Sequence, residues 1–161
     1  MGTNAAMKKL LLAAPMLALL AGCQFWIAGH SDDKSMVVLG EGKADPATGT
    51  TKFNLQIDGT DVKCTGDSRP KRDGSQVADV DITCDDGRTA HGETKLITMD
   101  TGDGNGSDSC GNSYYMYFST NKFTIDSKLK EYRKLVAESG NQGNDKCNAA
   151  GDIPPHTDPL I

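Results

Sequence analysis

Few of the features that usually announce an activity are present in this chain. It has one tryptophan, four phenylalanines and four tyrosines in 161 residues, and 37% of its residues are hydrophobic. A chain so poor in large apolar side chains builds a small core, and small cores commonly rely on crosslinks. Its three histidines, His30, His91 and His156, are scattered, and no two cysteines stand in a CxxC pair. Zinc sites show close ligand pairs, so no metal is expected. There is no Gly-x-Ser-x-Gly elbow to present a nucleophilic serine. Positive charge is in deficit, with 17 Lys and Arg against 22 Asp and Glu. That balance argues against nucleic-acid binding, which needs cationic contacts to phosphates. No apolar run reaches the roughly 20 residues that a membrane-spanning helix requires.

What is there begins with an address. Lys8-Lys9 precedes an apolar run from Leu10 to Ala21, broken only by Pro15. A basic stretch, a short apolar stretch and small residues make a secretory signal, with Met7 as an alternative natural start. Leu20-Ala21-Gly22-Cys23 closes the run. These four residues resemble the bacterial lipobox, the recognition sequence of prolipoprotein processing. The resemblance covers only the first 23 residues. It implies diacylglyceryl transfer to the Cys23 thiol, cleavage before Cys23 and N-acylation. Several acyl chains anchor stably where one would be marginal. Gln24 follows where an aspartate tends to retain Gram-negative lipoproteins at the inner membrane. The resemblance therefore points to the outer membrane, facing the periplasm, in a Gram-negative host. Loss of residues 1–22 removes two lysines and no acid, which moves the formal charge from −5 to −7.

With Cys23 lipidated, Cys64, Cys84, Cys110 and Cys147 remain. An even number in an exported chain reads as disulfides, with three pairings open. The favoured set is Cys64–Cys84 with Cys110–Cys147, because Cys64 and Cys84 each end a strand-like run on its apolar side. Closures of this size contribute about 3–4 kcal/mol each in the loop-entropy account.

Residues 23–35 read as a lipidated tether. Its one apolar patch, Phe25-Trp26-Ile27, either lies among lipid headgroups or packs on the domain. Residues 36–140 read as a β-rich domain. Met36–Leu39 is a short strand, and 41–50 is a loop. Lys52–Asp58 alternates, with Phe53, Leu55 and Ile57 on one face, and Asp58-Gly59 is a hairpin turn. Arg69, Lys71 and Arg72 form a small basic cluster in a loop around Pro70. Val77–Cys84 alternates again, Asp86-Gly87 is a second turn, and 89–99 is compatible with a strand. Asp100–Asp108 has spaced hard oxygen ligands but fails the calcium-loop register, so it reads as a flexible glycine loop. Tyr114–Ser119 is an aromatic strand, with Phe123–Ile125 as its partner. Leu129, Tyr132, Leu135 and Val136 recur at helical spacing, which predicts a helix over 127–139 ended by Gly140. Residues 141–161 read as a polar tail, tied down if Cys147 is crosslinked.

The expected fold is mainly β: a small antiparallel sheet or open barrel of roughly six to eight strands with one C-terminal helix and two disulfides. The expected function is a non-enzymatic binding, inhibitory or assembly module, anchored to the membrane through Cys23 and acting on an envelope protein or the cell wall. Tyr115 and Tyr117 share a strand face and are the candidate partner-binding strip. No catalytic residue, cofactor or metal is assigned. The competing reading is a small envelope hydrolase using His91 and a nearby acid.

Overall fold

Alternating strands and tight turns set the architecture of the protein, described by a computed structural model over residues 23–149. The expected signal peptide (1–22) and the end of the expected tail (150–161) lie outside the described residues. Eight strands follow one another: β1 Gln24–Ser31, β2 Val37–Ala44, β3 Thr51–Ile57, β4 Lys63–Pro70, β5 Val77–Cys84, β6 Thr89–Leu96, β7 Thr101–Asp108 and β8 Ser113–Ser119. Each pairs antiparallel with the next, and β8 pairs back onto β1, so the barrel is closed. Closure pairs every strand on both sides and leaves no sheet edge.

The register puts apolar residues inside. Phe53, Leu55 and Ile57 on β3 face inward with Val80 and Ile82 on β5, while Lys52, Asn54, Gln56, Asp79 and Asp81 face out. This apolar-in, polar-out arrangement is the reverse of a membrane-spanning barrel. Eight strands leave an interior that side chains can fill, and here they do. Phe25 and Phe118 meet edge to face with ring centroids 6.0 Å apart, and a void of about 40 Å³ remains among Val38, Leu55, Val80, Ile82 and Met116. Phe53 lies flat on the backbone of Gly66, and Phe118 on that of Gly102, where any Cβ would collide with the ring.

A helix, α1 (Lys122–Ser139), lies on the outside of β1, β2 and β8. Asn121 caps its start by accepting from the Phe123 N–H, and Gly140 ends it at φ 71°. Ile125, Leu129, Tyr132 and Val136 form its buried stripe and pack on Ala28 and Val37. A short α2 (Lys146–Ala149) follows.

Turns after β1, β3, β5 and β7 gather at one end of the barrel. Both disulfides, Cys64–Cys84 and Cys110–Cys147, are formed and lie there, so this is the crosslinked end. Turns after β2, β4 and β6, the start of α1 and the start of β1 make the N-terminal end.

Four sequence expectations are corrected. The tether expected over 23–35 is β1, which closes the barrel. Phe25 and Ile27 face the interior while Trp26 and Ala28 face α1, so both faces are buried and no alternation marks the strand. The glycine loop expected over 100–108 is β7. Gly102, Gly104 and Gly106 are its inward positions, and the register sets them opposite Phe118, Met116 and Tyr114 of β8, whose larger side chains fill the interior there. The partner strand expected at Phe123–Ile125 is the first turn of α1, because Asn121 caps the chain and Ile125 extends the buried stripe. The helix therefore begins five residues before the expected 127. Finally, β4 runs through Pro70 and places Arg69 on the barrel wall, not in a loop.

Candidate functional site

The outer wall carries the only arrangement that resembles catalytic chemistry. Asp81 on β5, His91 on β6 and Ser107 on β7 are register neighbours in one outward row. His91 Nδ1 lies 2.7 Å from Asp81 Oδ1, but the His91 side chain is 74% exposed. Among the described residues no hydrogen bond joins His91 to Ser107. The surrounding backbone N–H groups serve the ladders of a convex wall, so none is free to stabilise an oxyanion. Next to this row, Lys71 bridges Asp79 and Glu93, and Arg69 reaches Asp67 at 2.8 Å. The hydrogen bond from Glu93 leads the contacts that hold the Lys71 ammonium above its ordinary range.

Tyr115 and Tyr117, expected as an open aromatic strip, are half-buried against the cluster that seats α1. Burial first, then Asp103, whose carboxylate accepts from Tyr115 Oη at 3.4 Å, raises the Tyr115 phenol. This face is occupied by the chain's own helix, and the two tyrosines are helix-packing residues before they are anything else.

The crosslinked end closes over a buried ionic cluster that sequence reasoning missed. Arg88, just after the Asp86-Gly87 turn, points into the barrel and is 4% exposed. Its Nη2 lies 2.7 Å from both Asp86 and Asp145, and its Nη1, with no hydrogen-bond partner, faces Asp108 at 3.7 Å. Burial opposes the guanidinium charge, but Asp86 and Asp145 more than offset it and hold Arg88 firmly protonated. Asn112 donates to both Asp108 and Asp145, and Tyr114 Oη donates to Asp108 at 2.8 Å. Burial, aided by Asp108, pushes the Tyr114 phenol far above its usual value. The signal in the sequence was an inward alternation of polar residues: Arg88 on β6's lead-in, Asp108 on β7, Asn112 before β8. Asp108, Cys110 and Cys147 also form a tight group of metal-type ligands, but the two cysteine sulfurs are bonded to each other. That geometry holds a strap, formed by residues 141–149, against the barrel.

The N-terminal end is different. Cys23 immediately precedes β1, and its carbonyl accepts from the Ala44 N–H at 2.9 Å. Leu96 (44% exposed), Ile97 (57%), Met99 (97%) and Phe123 (79%) stand in solvent here. They are all of the large exposed hydrophobics among the described residues. The β6–β7 turn is tied to the start of α1 by Thr120 N–H donating to Asp100 O at 3.0 Å, which sets Met99 and Phe123 on the same rim.

No family model and no curated protein matches the chain. Solved structures do match in shape. A redesigned β barrel is 19% identical with a TM-score of 0.50, covering 63% of this chain and 91% of that one. The redesigned β barrel mFAP1, bound to DFHBI, is 16% identical with a TM-score of 0.51 over 63% and 96%. A de novo designed fluorescence-activating β barrel is 17% identical with a TM-score of 0.51 over 63% and 94%. At such identities the likeness is one of fold alone.

Proposed function

We propose that the protein is a lipid-anchored, non-enzymatic module of the bacterial cell envelope, held to its membrane through Cys23 and binding an envelope protein or the cell wall. The observation that carries this reading is the place of Cys23, one residue before the first strand of a doubly crosslinked barrel. Acyl chains on that sulfur would hold the N-terminal end at the membrane and present the crosslinked end away from it. The loops at that far end carry Asp32, Asp33, Asp58, Asp61, Asp85 and Asp86 against few cations, so the surface offered to a partner is acidic. The interior is not offered as a ligand site. A void of about 40 Å³ holds a few waters and is far below the roughly 300 Å³ of small-molecule pockets.

Metabolic labelling with a fatty-acid probe tests the anchor. The wild-type chain takes up label and partitions with membranes, and Cys23→Ser abolishes both. A wild-type chain without label would sink the reading.

The Asp81–His91–Ser107 row favours a second reading, a small hydrolase. Its weakness is the convex, solvated setting. Here His91→Ala leaves function intact, whereas an acid–base histidine contributes typically ~10²–10⁴-fold. Covalent labelling of Ser107 by a fluorophosphonate, lost in His91→Ala, would decide for the hydrolase.

A further inference from the structure

From the N-terminal rim we infer a second, non-covalent membrane contact: Ile97, Met99 and Phe123 insert among the phospholipid headgroups of the bilayer that holds the anchor. The inference rests on the lipid-anchor reading and adds an orientation to it, with the barrel standing on its rim.

Three observations lead to it. Scattered single apolar residues on a surface need no explanation, but a group confined to one rim does. Every large exposed hydrophobic among the described residues is on this rim, and the opposite rim has none. The hydrogen bonds from Leu96 N–H to Gln76 O and from Thr120 N–H to Asp100 O hold the three rim turns together, so the apolar side chains are presented as a group. Exposed Lys43, Lys52 and Arg72 stand around the rim, and none forms an ion pair with a described residue.

The occupant follows from the path of the chain. Cys23 is hydrogen-bonded to Ala44 at this rim and directly continues into β1. There is no slack between the acylated sulfur and the barrel, so the rim cannot stand far from the headgroups. An apolar cluster fringed by free cations is what a phospholipid surface accepts, since apolar groups lie at the acyl boundary and cations meet phosphates. Asp45 and Asp73 share these turns but spend their oxygens on local backbone. Asp45 accepts from Ala47 N–H and Asp73 from Ser75 N–H, and these contacts help keep both carboxyls below their ordinary range.

The test uses the acylated full chain in phosphatidylethanolamine–phosphatidylglycerol vesicles. Trp26, the single native tryptophan, is replaced by Phe, and Met99→Trp supplies the probe. Brominated acyl chains should quench this emission at least about twofold, as for an aromatic at the interface. Unquenched emission from a chain that carries the fatty-acid label would overturn the inference while leaving the anchor intact. A chain without label would fail the anchor itself. Quenching that needs high protein density and not lipid would assign the rim to self-association and also overturn it. In unacylated Cys23→Ser protein, Ile97→Glu with Met99→Glu should weaken partition into the same vesicles roughly tenfold. An unchanged partition would again count against rim insertion.

Discussion

At one end of the barrel four large apolar side chains stand in water and the turns are held by backbone hydrogen bonds. At the other end an arginine and its aspartates are buried, two disulfides cross between strands or onto the strap, and α1 finishes against the β1–β2 turn. There Ser139 Oγ donates to Lys34 O, Asn141 Nδ2 donates to Asp33 O and Gly143 N–H donates to Ser35 O. The same eight strands run through both ends, so the barrel framework does not cause the difference. It lies in what the turns carry. The crosslinked end invests in order and tolerates little change, while the N-terminal end keeps its side chains free for contact.

The sharpest way to break this comparison is to remove the buried cation. Arg88→Met leaves Asp86, Asp108 and Asp145 facing one another without compensation, and should cost about 3–5 kcal/mol in urea unfolding. Arg69→Ala, an exposed pair on the wall, should cost under ~1 kcal/mol. Equal losses would erase the contrast between buried and exposed charge.

Cys110→Ser with Cys147→Ser frees the strap that covers the cluster. The expected loss is roughly 2–4 kcal/mol, and hydrogen exchange should rise first in residues 141–149 and around Asn112. A uniform rise over the whole barrel would mean that the strap is not a separate unit.

Alkali tests the helix seat that runs between the two ends. Burial, reinforced by Tyr115, pushes the Tyr132 phenol up from 10.0 to about 12. A phenol raised in the folded state stabilises the fold below its unfolded value, and that stabilisation is lost as pH rises through the folded one. Unfolding by denaturant should therefore become easier between pH 10 and about 12, and Tyr132→Phe should flatten the dependence in that window. An unchanged slope in Tyr132→Phe would assign the loss to other groups.

The smallest expected effect on stability is at the N-terminal rim. Ile97→Glu and Met99→Glu should each shift unfolding by no more than ~0.5 kcal/mol, as exposed positions do. A large loss would mean that these side chains pack, and would remove the contrast between a rim built for contact and an end built for order.

Legibility in the sequence followed the physics of each segment. Half-buried strands are read from period two, so β3 and β5 were visible with their turns. The same alternation put Cys64 and Cys84 on one inner face, where the register makes them direct neighbours. The strands that escaped were those whose inside and outside do not differ in polarity in the usual way. In β1 both faces are apolar, and in β7 the inward face is glycine. Tyr115 and Tyr117 were correctly placed on a common face, but whether a helix covers that face is not a local property. Arg88 escaped because its partners are 20 and 57 residues away in sequence, and an Asp-Asp-Gly-Arg turn looks solvated until the strap folds over it.

By itself, then, the sequence determined the mainly β class, the crosslinks and the apolar stripe of α1, because periodicity and cysteine spacing are local records of which face meets the core. Only the tertiary structure decided that the sheet closes, that β1 rather than a tether begins the domain, and that charge is buried at one rim while apolar surface is exposed at the other. Those outcomes depend on which segments lie opposite one another across the barrel. Burial is a property of that assembled surface, and no single stretch of chain contains it.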